Sequence, residues 1–284
     1  MKFYSPFRYP GGKNKLAKFI ARICERNSIN GHYIEPYAGG ASVAFHLLFN
    51  GYVSEITIND IDRSIYAFWY SVLNHTDRLC DLIRKTEINI DNWKKNREIQ
   101  KNKKKSSLLR LGFSTIFLNR TNISGIINGG IIGGLEQKGE YKLDCRFNKK
   151  EIIKRIRSIA QYKKRIHIYN LDALELIKII QKESKNPSTI FYFDPPYYIK
   201  GKSLYVNYYK DKDHVKVSEE IKRIKNSRWI ISYDNVPQIK FLYHGFKKIE
   251  YSFWHTANNP KRGEEVLFFD KNLIIPKVNN PVKI

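Results

Sequence analysis

The sequence predicts an α/β fold: a mostly parallel sheet with helices between its strands, interrupted by an inserted segment. Three observations predict it. Short apolar runs end in an acid or a turn, as in Tyr33-Ile34-Glu35, Glu55-Ile56-Thr57-Ile58-Asn59-Asp60 and Phe191-Tyr192-Phe193-Asp194. Over residues 33–60 the order is strand, glycine loop, helix, strand, acid, which is one half of a dinucleotide-type α/β unit. Regular patterning then stops after residue 63 and resumes at Arg165, which leaves 64–164 as the insert between 1–63 and 165–284.

The elements follow in order. Phe7-Arg8-Tyr9-Pro10-Gly11-Gly12-Lys13 is a turn-rich entry loop, and a helix is expected over 14–27. Tyr33-Ile34-Glu35-Pro36 ends a strand. Gly39-Gly40-Ala41-Ser42 opens a helix whose apolar positions include Val43, Phe45, Leu47 and Leu48. A second strand runs to Asp60. Residues 85–107 are polar and basic, and 119–148 are rich in Asn and Gly without a period. Further strands are expected at 165–172, 191–193, 228–233 and 265–269.

Composition limits the function. Apolar residues make up 42% and aromatics 14%, enough for a packed core. No apolar run approaches the ~20 residues of a membrane helix. Met1-Lys2-Phe3-Tyr4-Ser5-Pro6 has no apolar signal core, so the expected location is cytoplasmic, with no membrane partner. Lys plus Arg number 51 against 27 Asp plus Glu, a net charge of +24, which points to a polyanionic partner and favours nucleic acid. Cys24, Cys80 and Cys145 are few and far apart, and no histidine shows ligand spacing. Neither a disulfide framework nor a zinc site is expected.

The chemistry concentrates in Asp194-Pro195-Pro196-Tyr197. The two prolines fix φ and lack N–H donors, so the turn is stiff. Its carbonyls remain acceptors, and Tyr197 adds an aromatic face. Such a turn suits a planar group with an exocyclic amine, such as adenine. Gly39 and Gly40 let backbone approach a ligand at a helix N-terminus, or simply make a βα turn. Asp60 has the spacing of a ribose-binding acid. The chain lacks Gly-x-x-x-x-Gly-Lys-Ser/Thr and the full Gly-x-Gly-x-x-Gly fingerprint. An adenosine-type ligand without phosphates remains, and S-adenosylmethionine is the obvious one.

Taken together these segments resemble the Dam-type DNA adenine-N6 methyltransferases. Arg8-Tyr9-Pro10-Gly11-Gly12-Lys13 resembles the family's Lys-Trp-Ala-Gly-Gly-Lys segment, and Glu35-Pro36-Tyr37-Ala38-Gly39-Gly40-Ala41-Ser42 its Phe-x-Gly-x-Gly cofactor motif. Asn59-Asp60-Ile61-Asp62 resembles its ribose-binding acid, and Leu118 to Gly125 its DNA-contacting Asn-Arg segment. Asp194-Pro195-Pro196-Tyr197 matches its catalytic motif without change. Departures are Tyr37 for Phe, Ala41 for the last Gly, Ile123 for an aromatic wedge, Ser124 for an Asn at the orphaned base, and Asn128 for a base-reading Arg.

The resemblance implies a Rossmann-like S-adenosylmethionine-dependent methyltransferase sheet carrying an inserted DNA-recognition domain at 64–164. Tyr9, Lys13, Glu35, Gly39, Asp60, Asp172 and Asp194 are then expected at the cofactor, with Asp172 equally suited to cap a helix. Arg8, Asn119, Arg120, Ile123, Ser124 and Asn128 are expected at DNA, Arg120 having the guanidinium to read a guanine edge or hold a phosphate. Asp194 and the Pro195 carbonyl would accept the two N6 hydrogens and localise the nitrogen lone pair, while Tyr197 stacks on the base. N6 would attack the methyl carbon directly, with no covalent enzyme intermediate and no required metal. The target adenine would be flipped out of double-stranded DNA. The resemblance further implies a monomer in a bacterial or phage-infected cell, with a cognate restriction endonuclease as a possible partner. Two alternatives stand beside this one. A methyltransferase of another amine substrate usually carries Asn or Ser at the place of Asp194. A DNA-binding protein without catalysis would not bind the cofactor.

Overall fold

A computed structural model describes residues 3–8, 13–183, 188–199, 209–255 and 261–284. The described strands are β1 (His32–Glu35), β2 (Glu55–Asn59), β3 (Ile166–Tyr169), β4 (Thr189–Phe193), β5 (Arg228–Asp234), β6 (Lys247–His255) and β7 (Lys261–Phe269). They form one sheet in the order β3-β2-β1-β4-β5-β7-β6. β1 pairs in parallel with β2 and β4, and β4 with β5. β7 runs antiparallel to both β5 and β6. The mixed α/β fold expected from the sequence is therefore present. β6 was not foreseen, although Ile249, Tyr251 and Phe253 alternate along it.

The chain divides into two compact units, Met1–Gly12 with Asp60–Asn170, and Lys13–Asn59 with Leu171–Ile284. In the second unit β4 is buried along its whole length, and Phe191 and Phe193 stack at 5.5 Å, as a central parallel strand requires. Helix α1 (Ala17–Arg26) buries Phe19, Ile20 and Ile23, and α2 (Ser42–Phe49) buries Val43, Phe45 and Leu47. After β1 the chain goes to β2 on one side, and later returns to β4 on the other. The β1/β4 boundary is thus a topological switch point, where the carboxyl ends of open α/β sheets bind ligands.

The first unit is helical. Its main helices are α3 (Arg63–Asn74), α4 (Thr76–Lys85), α5 (Ile90–Lys101), α6 (Leu108–Thr121) and α7 (Lys149–Ala160). Asp62, Asn89, Ser107 and Asn148 cap α3, α5, α6 and α7 with side-chain oxygens, which explains how a polar, basic segment still forms helices. Buried Gln100 on α5 bonds Ser64, Ser114 and Thr115, so its polar atoms are satisfied inside the helix packing. The N-terminal residues group with this unit, whereas the sequence reading joined 1–63 to the catalytic half. Phe7 packs against Phe68 and Trp69, and Arg155 donates to the Ser5 carbonyl at 2.9 Å.

Candidate active site

Asp194 follows the last residue of β4, where the strand runs out into the double-proline turn. Its side chain retains 21% exposure, and Oδ1 accepts from Ser232 Oγ at 2.8 Å. Ser232 on β5 is itself joined to the Tyr192 hydroxyl at 2.9 Å. Lys13 opens a short 3-10 helix, Lys13–Leu16, that leads into α1. Its Nζ lies 3.2 Å from Asp194 Oδ1 and 3.0 Å from Glu265 Oε1, and it also donates to the Tyr197 hydroxyl. Tyr197 donates to Glu265 Oε1, and Tyr251 donates to Oε2. Beyond the prolines, Asp234 accepts from Tyr198 N at 3.0 Å and Ile199 N at 2.9 Å. The turn is pinned from β5 and β7 together.

The charges in this cluster shape one another. Burial opposes the Lys13 charge, but Asp194 and Glu265 outweigh it and hold the ammonium well above its usual range. Burial raises the Asp194 carboxyl above its usual value despite Lys13 and Ser232, which pull it down. Burial likewise pushes Glu265 up to about 7, with Lys13 opposing and Asp194 adding. A buried and a half-buried carboxylate thus share one ammonium.

The glycine turn lies at the end of β1, the parallel neighbour of β4. Gly39 takes φ 45° and Ala41 φ 48°, the left-handed region that favours glycine. That conformation explains why the motif this segment resembles ends in Gly where this chain has Ala41. Glu35 is buried, and its Oε1 accepts from Tyr33 Oη at 2.9 Å and Ala44 N at 3.2 Å, in the first turn of α2. Burial pushes Glu35 up to about 8, with Tyr33 and the Ala44 N–H opposing. Asn59 donates to the carbonyls of Pro36 at 2.9 Å and Leu171 at 3.0 Å, tying the turn to the segment that carries Asp172. Asp172 Oδ1 accepts from Leu174 N at 2.8 Å, at the start of α8 (Ala173–Glu183), so it does cap that helix.

The remaining candidates lie in the first unit. Asp60 accepts from Asp62 N at 2.9 Å. Asn119 is buried; its Oδ1 accepts from Arg8 N at 2.9 Å, and its amide donates at 2.8 Å to the carbonyls of Arg8 and Gly125. It clasps two chain segments together. Arg120 donates to the Pro6 carbonyl, and more weakly to that of Arg146 at 3.5 Å. Burial, with Arg155 and Arg8 nearby, lowers it to about 10. In this pose the guanidinium is turned to backbone carbonyls of its own unit. Ile123 is 45% exposed, beside Ser124 at φ 56° and before Gly125 at φ 76°. A Cβ on Gly125 would stand 2.3 Å from the Arg8 carbonyl oxygen, so only glycine fits there. Asn128 is exposed. Lys101 and Lys103 pair with Glu98 and Asp62, at 3.1 and 2.9 Å, which fits a solvated face. Tyr9 lies outside the described residues.

Sequence reasoning missed Glu265, Ser232 and Asp234. No local motif marks them; only strand register brings β5 and β7 beside the turn. It placed Lys13 at the cofactor by resemblance, and the structure places Lys13 Nζ 3.2 Å from Asp194 Oδ1, beside the turn. The residues at the switch point fit an adenosine-type ligand. The glycine turn and Asp194 come from hydrogen-bonded neighbouring strands, and Asp194 keeps an open face.

The sheet thus carries an Asp-Pro-Pro-Tyr turn and a glycine turn at adjacent parallel strand ends. Residues 9–256 match the family model of the D12 class N6 adenine-specific DNA methyltransferases, and the chain belongs to that family. It is also similar to the type II methyltransferase M.MjaIII of Methanocaldococcus jannaschii, with 24% identity over 266 residues, 85% of this chain and 88% of that protein. Among solved structures it is similar to a SAM-dependent methyltransferase from Agrobacterium tumefaciens, with 7% identity and a TM-score of 0.43. That match covers 90% of this chain and 61% of the other. A putative RNA methyltransferase from Pyrococcus horikoshii matches with 11% identity and a TM-score of 0.42, over 94% of this chain and 88% of the other.

Proposed function

We propose that the chain is a site-specific methyltransferase that takes its methyl group from S-adenosylmethionine and places it on N6 of an adenine flipped out of double-stranded DNA. The single observation that carries this reading is Asp194. It stands at a rigid turn, is paired to Lys13 at 3.2 Å and still keeps an open face. The adenine N6 lone pair is conjugated into the ring and weakly nucleophilic. The Asp194 carboxylate and the Pro195 carbonyl accept its two hydrogens, which draws the nitrogen towards sp³ geometry and localises the lone pair. Lys13 favours the charged form of Asp194 and opposes the upward pull of burial. Tyr197, assigned by resemblance to stack on the base, is largely buried and has its ring held by a hydroxyl tied to Lys13 and Glu265. Positioning of this kind supplies much of the acceleration. The bound cofactor supplies an electrophilic methyl group on a sulfonium. Gly39 and Glu35 shape its turn, and Asp60, Asp172 and Tyr9 keep their assignments to it by resemblance.

On the DNA side, exposed Ile123 on its tight loop is suited to wedge into the base stack, with Ser124 and Asn128 beside it. Arg8, Asn119 and Arg120 support that loop from beneath. Flipping costs a few kcal/mol, which contacts to the phosphates offset. The +24 charge supports a duplex partner. Family membership supports a cytoplasmic location, with a cognate restriction endonuclease as a candidate partner. No described helix is long and apolar enough to cross a membrane. Single-molecule sequencing of DNA from expressing cells tests the reading. It predicts N6-methyladenine at one recurrent sequence; unmodified DNA, or a different modified base, would overturn it.

A further inference from the structure

We propose that Glu265 is a positioning residue for methyl transfer, holding the Tyr197 hydroxyl and the Lys13 ammonium and, through Lys13, the carboxylate of Asp194. The inference rests on the N6-adenine reading above and adds a residue to it.

Glu265 sits mid-strand on β7, paired across to Asp234 on β5 and to Tyr251 on β6. It is 2% exposed, so its carboxylate is removed from water and must find its partners inside the protein. Three donors meet it: Tyr197 and Lys13 at Oε1, and Tyr251 at Oε2. Two of them belong to the active turn or its ion pair. The third anchors the far oxygen to the neighbouring strand and so fixes the direction in which Oε1 points. Tyr197 needs such an anchor. A ring that stacks on a base is free to tilt about its χ angles unless its far end is tied. Lys13 needs one too. With Glu265 as a second partner, the ammonium is held between two carboxylates rather than collapsed onto Asp194. Asp194 therefore keeps lone pairs for the substrate amine. The hairpin of β6 and β7 also rests on the Glu265–Tyr251 bond, and a purely structural carboxylate would make that bond alone.

The charged and titratable groups facing Glu265 are Lys13, Asp194, Tyr197 and Tyr251. Burial pushes Glu265 up to about 7, so it gains a proton as pH falls through neutrality. A protonated carboxyl loses the charge that faces Lys13 and can no longer accept from Tyr251 through the protonated oxygen as a carboxylate does, which weakens its hold on the turn.

The test is single-turnover methylation of a duplex under saturating S-adenosylmethionine, from pH 6 to 8.5, with wild type, Glu265→Ala and Glu265→Gln, alongside both dissociation constants. Wild type is expected to slow on the acid side, with a limb centred near 7. Glu265→Ala is expected to lose at least about tenfold in the chemical step, with both affinities within about threefold of wild type. Glu265→Gln keeps an acceptor for Tyr197 and Lys13 without the charge. Its rate should lie between the two and show no limb near 7. Should Glu265→Ala fail to fold, the Glu265→Gln profile carries the test alone. A surviving acid limb in Glu265→Gln, an unchanged chemical step in Glu265→Ala, or equal losses in rate and both affinities would overturn the inference. If wild type itself forms no N6-methyladenine, it is the parent reading that fails.

Discussion

Glu35→Gln changes how stability depends on pH, by an amount that follows from the site. Glu35 is 5% exposed. Burial holds its carboxyl at about 8 against a usual 4.5, even though Tyr33 and the Ala44 N–H favour the charged form. The unfolded chain releases this proton near 4.5, and the folded chain keeps it until about 8. Between those values the folded state binds one more proton. Each pH unit upward therefore lowers stability by about 1.4 kcal/mol, and the whole interval by about 5 kcal/mol. This contribution is fully present below 4.5 and is lost as pH rises through 8. A glutamine at this position still accepts from Tyr33 and Ala44 but has no proton to lose. Urea unfolding followed by tryptophan fluorescence, at intervals between pH 5 and 7.5, measures the effect. Relative to wild type, Glu35→Gln is expected to gain about 1.4 kcal/mol per pH unit. Parallel stability curves would refute the reasoning, because they would mean that Glu35 releases its proton equally early in both states.

Asp60→Ala should weaken S-adenosylmethionine binding by roughly 1.5–3 kcal/mol, as loss of a hydrogen bond to a charged group does, and an unchanged dissociation constant by calorimetry removes Asp60 from the cofactor site. Arg120→Ala should weaken cognate and scrambled duplexes alike, because the guanidinium holds the Pro6 carbonyl under the DNA-facing loop. A loss of about 1–3 kcal/mol confined to the cognate duplex, in a binding titration, would instead restore Arg120 as a base reader.

The rigid turn at Asp194 was legible because its geometry is local. Asp194, two prolines and an aromatic are consecutive, and rigidity follows from proline geometry alone. The parallel half of the sheet was legible for the same reason, since β1, β2, β4 and β5 are short apolar runs between turns. What stayed hidden depends on register. Glu265 reaches Tyr197 only because β7 returns antiparallel beside β5, and nothing in Glu264-Glu265-Val266 distinguishes one acid from the other except which face is buried. Lys13 was assigned to the cofactor by resemblance alone; its partners Asp194 and Glu265 come from distant strands that no local motif marks. Asn119 stands in a DNA-contacting motif by resemblance, but its amide has the donors and acceptor to clasp two backbones, and burial gives it that role. In the first unit α5 was obscured by charge, burying only Asn96 and Gln100, whereas α3 and α6 bury broad apolar faces.

The most direct test of the central claim is nucleoside mass spectrometry of duplex DNA incubated with S-adenosylmethionine and either the wild-type protein or Asp194→Ala, with duplex affinity measured on both. The account predicts N6-methyladenine from the wild type and none from Asp194→Ala, at nearly unchanged affinity, because Asp194 polarises the amine while phosphate contacts hold the duplex. Near-wild-type methylation by Asp194→Ala, or a methylated base other than N6-methyladenine from the wild type, would contradict it.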